Sequence, residues 1–214
     1  MEVAKQPGEV ITAKTNARLL SSIPKAADNT LVFFDLHEPS LRHYFEGDVT
    51  AMELSAIQLL ANALKQANID NPIVGSADLG MPQQTQQLAE LLQADVALVS
   101  KSRDFSHTAV LATVGDVEER NVVIYDDMVR SGDSLIKAAK AYKKAGAQAV
   151  WAAVSHFAIP DEKVVQKLRK APLETIFTTN SHPSSQLTAV KRSKFVSVED
   201  IAPTVAKFTR NLVF

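Results

Sequence analysis

The chain has 214 residues, of which 46% are hydrophobic, and its formal net charge is −1. This length suits one domain with a substantial core, and the hydrophobic content is too high for a disordered chain. A net charge near zero excludes the broad basic surface of a nucleic-acid-binding protein. The absence of cysteine excludes a disulfide framework and a thiolate metal site. Without the apolar core of a signal peptide or a run long enough to span a membrane, we expect a cytoplasmic globular enzyme with neither nucleic acid nor membrane as partner.

Predicted helices and strands alternate along the chain. In chain order they are helix Ile11–Ser22, strand Leu31–Phe34, helix Thr50–Ala67, strand Ile73–Ser76, helix Gln83–Gln93, strand Val96–Ser100, strand Val122–Tyr125, helix Leu135–Lys144, strand Ala149–Ser155, helix Asp161–Lys170, strand Glu174–Thr179, strand Phe195–Val198 and helix Asp200–Asn211. Only Lys101–Arg120 interrupts the alternation, as a long polar segment that we predict to be an irregular, mobile loop. The pattern predicts one α/β domain over residues 1–214, with a mainly parallel sheet and helices on both faces.

The stretch from Val122 to Leu135 contains the most informative chemistry. An apolar strand leads to two adjacent acids, Asp126 and Asp127, and then to Ser131, Gly132 and Ser134 at the start of a helix. Helix N-termini bind phosphate well, and open α/β sheets bind ligands at the carboxyl ends of their strands. The acids can accept hydrogen bonds from sugar hydroxyls while the turn holds a phosphate. The pattern therefore predicts a binding site for a phosphorylated sugar, although an ordinary strand–turn–helix with a solvated acidic pair is the simpler alternative.

This stretch resembles the phosphoribosyl diphosphate (PRPP) motif of type I phosphoribosyltransferases and PRPP synthetases. Further segments resemble the C-terminal half of a PRPP synthetase in family order. They are Asp35-Leu36-His37, Asp78-Leu79-Gly80, Lys101-Ser102-Arg103 and Ser155-His156. The resemblance implies the type I phosphoribosyltransferase fold, and it identifies the chain as a member of the ribose-phosphate diphosphokinase family.

The resemblance also implies roles for individual residues. Lys101 and Arg103 would stabilise the transition state, and His37 and Asp78 would form the site of Mg²⁺ and the ATP phosphates. The residues that would bind ribose 5-phosphate or PRPP are Asp126, Asp127, Arg130, Ser131, Gly132, Asp133 and Ser134. The implied cofactor is Mg²⁺, which prefers oxygen ligands, so Asp78 is the better direct ligand. The implied partners are ribose 5-phosphate or PRPP, with ATP as a further ligand, and the implied assembly is a homo-oligomer of two or more subunits.

Two residues of the sugar-phosphate loop depart from the family pattern. Arg130 replaces an Asp and adds a cation that could pair with the 5-phosphate. Asp133 replaces a Gly and adds a negative charge and a Cβ where the backbone must approach the phosphate. Arg130 and Asp133 could instead pair with each other. The second Gly of the family's Asp-x-Gly-Gly segment is Met81 here.

Three functions remain open from the sequence. The first is transfer of the diphosphoryl group of ATP to ribose 5-phosphate, which gives PRPP and AMP. The second is a type I phosphoribosyltransferase that consumes PRPP. The third is a catalytically weak regulatory paralogue that binds sugar phosphates. The family's N-terminal half, which helps to bind adenine, does not match any part of this chain, so we expect ribose 5-phosphate or PRPP to bind more readily than free ATP.

The predicted roles separate catalysis from binding. Lys101→Ala should slow Mg²⁺-dependent PRPP synthesis by on the order of 10²–10³, the usual cost of removing one group that stabilises transition-state charge. Asp127→Ala should weaken sugar-phosphate binding whether or not turnover occurs, because its hydroxyl contacts form in the ground state. The first is measured as PRPP formed from ribose 5-phosphate and ATP, and the second by calorimetric titration.

Overall fold

The computed structural model describes residues 9–24, 29–77, 82–104 and 107–212, with the backbone alone for residues 99–104 and 107–114. The chain divides into two compact units, Met1–Ser55 and Ala56–Phe214. Each unit has its own β-sheet. The single domain expected over residues 1–214 stays a prediction.

The first unit is small and contains a two-stranded parallel sheet. Its elements are helix α1 (Thr12–Ser21), strand β1 (Asn29–Phe34), a 3₁₀ helix (Pro39–Tyr44) and strand β2 (Val49–Leu54). The two strands run in register from Asn29 opposite Val49 to Phe34 opposite Leu54. The helix and the first strand confirm the elements predicted there from the sequence.

The single helix predicted over Thr50–Ala67 was wrong in its first part. Residues Val49–Leu54 form β2, and the helix (α2) covers Ile57–Gln66. The β-branched Val49 and Thr50 favour a strand, and pairing with β1 outweighs the helical spacing of the apolar residues that follow. The spacing of apolar residues within one segment cannot show that β1 pairs with it.

The second unit is the larger α/β unit. After α2 its elements are β3 (Pro72–Ser76), α3 (Pro82–Leu92), β4 (Asp95–Asp104), β5 (His107–Val114), β6 (Asn121–Val129), α4 (Asp133–Lys144), β7 (Ala149–Phe157), α5 (Glu162–Arg169), β8 (Ile176–Thr179), a 3₁₀ helix (Pro183–Gln186), α6 (Thr188–Lys191), β9 (Val196–Glu199) and α7 (Ala202–Leu212). No helix in the described ranges is both long and apolar enough to cross a bilayer.

Seven strands form one sheet in the order β5-β4-β3-β6-β7-β8-β9. All neighbours are parallel except β4 and β5. The central strand β6 is buried on both faces. Val122 and Ile124 belong to the apolar core cluster that includes Leu135 of α4, whereas Val123 lines a cavity of about 230 Å³ with Leu64 of α2. The predicted mainly parallel sheet with helices on both faces is confirmed.

The irregular loop predicted over Lys101–Arg120 was wrong for most of its length. Residues 101–104 continue β4, and β5 returns antiparallel to it at the sheet edge, with Leu98 opposite Val114 and Asp104 opposite His107. Lys101–Asp104 is polar and has no alternation of apolar and polar residues that would predict a strand. It forms a strand because it pairs with β5.

One buried side chain joins α4 to the middle of the sheet. The Tyr142 hydroxyl lies 3.0 Å from the carbonyl oxygen of Ser76 and 3.2 Å from that of Ala97, and it accepts the N–H of Ser76 at 3.1 Å. Burial raises the pKa of Tyr142 above its usual range, so the hydroxyl stays protonated and can donate. A Cβ on Gly75 would lie 2.7 Å from the Tyr142 ring, which explains why glycine is needed there.

We expect Tyr142→Phe to lower the free energy of unfolding by about 1–3 kcal/mol, because it removes the buried hydrogen bonds between this hydroxyl and backbone groups of β3 and β4. Urea denaturation measures this loss, and the m-value should stay at its wild-type value because the surface exposed on unfolding is unchanged. A loss below about 0.5 kcal/mol, the usual size of a surface substitution, would contradict the structural role given to the hydroxyl.

Candidate phosphate-binding site

The two acids of the candidate site lie inside β6 rather than after it. The strand was predicted to end at Tyr125 but continues to Val129, so Asp126 and Asp127 occupy its last residues. Asp126 is half-buried and lies opposite Val154 of β7, whereas Asp127 is only 3% exposed. A carboxylate so deeply buried normally has hydrogen-bond partners and a fixed orientation. The pair is therefore held by the sheet itself.

A tight turn connects β6 to α4 and carries the predicted phosphate loop. Gly132 is the N-cap residue of α4 and has a φ of 76°, a left-handed conformation that glycine adopts easily. A Cβ at this position would lie 2.9 Å from Cδ2 of Leu168, which is fully buried in α5. Ser131, Asp133 and Ser134 are exposed around it. The turn thus directs the first N–H groups of a twelve-residue helix toward the site.

The acid within the loop is neutralised by a lysine from another helix. Lys167 Nζ of α5 lies 2.7 Å from Asp133 Oδ1 and 3.1 Å from the carbonyl oxygen of Ser131. The Lys167 ammonium, together with the Ser131 hydroxyl, holds the pKa of Asp133 below its usual range, so its carboxylate is charged at neutral pH. The alternative in which Asp133 pairs with Arg130 was wrong. Tertiary packing brings Lys167 to Asp133 from 34 residues away.

An open cavity of about 630 Å³ lies beside this loop. Its lining consists of Arg130 and Ser131, the segment Ala158-Ile159-Pro160 after β7, and His182 after β8. It therefore lies at the carboxyl ends of three neighbouring strands, which is where sheets of this class bind ligands. His182 Nδ1 accepts the backbone N–H of Ser184 at 3.2 Å, so the neutral ring carries its proton on Nε2. The volume of the cavity is within the range of small-ligand sites.

The backbone register places the predicted catalytic pair in the last part of β4, past the level of Asp126 in β6. Ser76 of β3 lies opposite Tyr125 of β6, and Gly75 lies opposite Ala97 of β4. Lys101 is four residues after Ala97, and Arg103 follows it in the extended part of β4 that pairs with β5. Both residues therefore lie past the level of Asp126. Their side chains are outside the described part of the structure, and their catalytic roles stay predictions.

The structure does not test the two predicted metal ligands. Asp78 lies outside the described residues. His37 is exposed in the first unit, three residues after β1. Among the described residues no group of three or more His, Cys, Asp or Glu side chains could hold a metal ion. The metal-binding roles of His37 and Asp78 stay predictions.

Sequence reasoning missed two residues of this region. Lys167 lies in a helix where its charge suits any solvated face, and His182 lies in a polar stretch without a motif. Neither carries a local signal that relates it to Asp133 or Ser131. Only the packing of α5, and of the segment after β8, against the loop after β6 brings them together.

Comparison with known proteins agrees with this geometry. Residues 82–213, more than half of the chain, match the family model described as phosphoribosyl synthetase-associated domain. The chain belongs to this family. The match covers α3 to α7 and includes the acids of β6, the predicted phosphate loop and Lys167. The family resemblance expected from the sequence is thus confirmed.

Curated relatives of this chain carry the name ribose-phosphate pyrophosphokinase. The protein from Clostridium acetobutylicum is 31% identical over 212 residues, which are 98% of this chain and 63% of that relative. The one from Aquifex aeolicus is 31% identical over 97% of this chain and 64% of its own length. The chain therefore spans less than two thirds of the length of these relatives. The crystal structure of phosphoribosylpyrophosphate synthetase from Mycobacterium smegmatis matches with a TM-score of 0.83 at 27% identity, covering 99% of this chain and 67% of that one.

For this member of the family we expect Gly132→Ala to lower the free energy of unfolding by about 1–3 kcal/mol, because alanine is strained at a positive φ and its Cβ would press on Leu168. Urea denaturation measures the loss. The neighbouring Ser131→Ala is the control: it removes an exposed hydroxyl and should stay within about 0.5 kcal/mol of wild type. Equal stability of the two variants would contradict the backbone constraint at Gly132.

Proposed function

We propose that this chain binds the 5-phosphate of ribose 5-phosphate or PRPP at the loop Arg130–Ser134, and that Asp126 and Asp127 bind the ribose hydroxyls. The observation that carries the proposal is the junction of β6 and α4. A turn with a left-handed Gly132 starts the helix, and two acids precede the turn on the same strand. Backbone N–H groups at a helix start favour an anion, whereas carboxylates can only accept hydrogen bonds, as sugar hydroxyls require.

The reaction that we propose for the protein is transfer of the diphosphoryl group of ATP to ribose 5-phosphate. The anomeric oxygen attacks the β-phosphorus and loses its proton, the bond from that phosphorus to the oxygen of the α-phosphate breaks, and AMP leaves. The support is the shared family with proteins named ribose-phosphate pyrophosphokinase. Lys101 and Arg103 would stabilise the charge that develops on the transferred group, since such reactions depend mainly on positioning and electrostatics. Their backbone position in β4, past the level of Asp126, is compatible with this role.

Magnesium is the proposed cofactor, with His37 and Asp78 as the predicted ligands. Mg²⁺ is usually held by one or two carboxylates together with substrate phosphates and several waters, so it does not need the three-residue cluster that the described residues lack. When bound, the ion would neutralise charge on the phosphate oxygens of the nucleotide. The predicted homo-oligomer is part of the same proposal and is tested by light scattering on the purified protein.

Binding without turnover is the main alternative function. In the sequence, the replacement of the family's glycine by Asp133 favours this alternative, because an extra negative charge opposes phosphate binding. The ion pair of Asp133 with Lys167 removes much of that argument. A phosphoribosyltransferase activity would instead consume PRPP in the presence of an acceptor base. An assay for AMP release from ATP and ribose 5-phosphate, with Mg²⁺, separates synthesis from both alternatives.

Calorimetric titration with ribose 5-phosphate, PRPP and ATP in turn tests the binding site. We expect ribose 5-phosphate or PRPP to bind more readily than free ATP. Arg130→Gln should weaken sugar-phosphate binding about 10- to 100-fold, the usual size of a hydrogen bond to a charged group. Asp127→Asn should also weaken it, since one acceptor for a ribose hydroxyl becomes a donor.

Lys144→Gln provides the matched control for the loss of one positive charge. Lys144 is the last residue of α4, about 18 Å along the helix from the loop, and should leave binding unchanged. Wild-type protein that binds ATP tightly but has no affinity for ribose 5-phosphate or PRPP would overturn the proposed role of the loop.

A further inference from the structure

The phosphate loop of this protein contains a carboxylate where an anion is to be bound. Asp133 is the first residue of α4, its side chain is 58% exposed, and it directly follows the N-cap Gly132. An acid in the first turn interacts favourably with the helix dipole, but it also competes with an incoming phosphate for the same positive end. The Ser131 hydroxyl, a predicted phosphate donor, is one of the groups that interact with this carboxylate. Without compensation the loop would repel its ligand.

Lys167 contacts the loop at two points. Its ammonium lies 2.7 Å from Asp133 Oδ1 and 3.1 Å from the carbonyl oxygen of Ser131, so one side chain bridges the residues on either side of Gly132. The next residue in the chain, Leu168, holds the helix that carries this ammonium against the loop. Leu168 is fully buried and packs directly against Gly132, which fixes this part of α5 relative to the turn.

We infer that Lys167 is a positioning residue for the phosphate loop: it neutralises and holds the Asp133 carboxylate, and so keeps Ser131 and the start of α4 available to an anionic ligand. This inference rests on the proposed binding of a sugar phosphate at the loop. Lys167 acts through Asp133 and Ser131 rather than as a ligand of the phosphate. The pair is partly exposed, at 45% for Lys167 and 58% for Asp133, so it contributes little to stability and its variants should fold.

A double-mutant cycle tests the inference. The variants are Lys167→Met, Asp133→Asn and the two combined, with ribose 5-phosphate as the calorimetric probe and inorganic phosphate as the second. Lys167→Met should raise the dissociation constant about tenfold, because the released Asp133 carboxylate can then compete with the phosphate for the Ser131 hydroxyl and the first N–H groups of α4. Asp133→Asn removes a negative charge from the loop and should bind ribose 5-phosphate more tightly than wild type. Lys167→Met should cost clearly less affinity in the Asp133→Asn background than in wild type, because only the wild-type background has a carboxylate for the lysine to hold.

Two further variants separate positioning from general charge. Lys167→Arg keeps the charge and should restore most of the affinity. Lys163→Met removes an exposed cation from the same helix, one turn earlier, and should leave the affinity unchanged. In addition, the pKa of Asp133, measured by carbon NMR without ligand, should rise in Lys167→Met because the ammonium that lowers it is gone.

The outcomes distinguish this inference from the proposed function. If Lys167→Met weakens ribose 5-phosphate binding equally with and without Asp133→Asn, Lys167 is itself a phosphate ligand and the positioning role is wrong. If wild-type protein binds inorganic phosphate with the expected cycle but not ribose 5-phosphate, the positioning role stands and the proposed substrate is wrong. An unchanged affinity in Lys167→Met, or a wild-type protein that binds neither anion, overturns the inference.

Discussion

The contact of Tyr142 with the backbone of β3 and β4 is the constraint on which the candidate site depends. One hydroxyl meets the Ser76 N–H and two carbonyl oxygens, and Gly75 leaves room for the ring. A buried polar group is costly unless it is paired, so this arrangement admits one position of α4 across the sheet. Because Gly132 is the N-cap residue of α4, the same contact helps to determine where the predicted phosphate loop lies relative to the acids of β6.

A second constraint acts at the opposite end of α4. Gly132 turns with a positive φ directly against Leu168, so α5 packs beneath the loop, and Lys167 reaches the loop surface from the same helix. Packing and electrostatics are thus coupled through two adjacent residues, one fully buried and one exposed. In the proposed site this coupling would allow the loop to carry an acid at position 133. The Asp133 carboxylate, which would oppose phosphate binding in isolation, is paired with a cation from a neighbouring helix.

The sequence predictions were correct where neighbouring residues determine an element, and wrong where a contact with a distant segment determines it. The strand of β6 and the helix of α4 were found because four apolar residues and an amphipathic segment report their own burial. The strand β2 and the hairpin of β4 and β5 were missed because each depends on a partner strand. For Asp133 the sequence offered Arg130, three residues away, as a partner, whereas the structure provides Lys167.

The sequence by itself determined the α/β class, the family, and the order of acids, turn and helix that forms the candidate phosphate site, because these are patterns of consecutive residues. The tertiary structure alone decided which charges and packing partners surround that turn. Three residues 30 or more positions away in the chain lie beside the loop: Lys167, Leu168 and His182. No periodicity or motif in their own segments predicts these contacts. Hydrophobic periodicity is a property of consecutive residues, whereas the partner of a buried or charged group depends on which residues the tertiary structure places next to it.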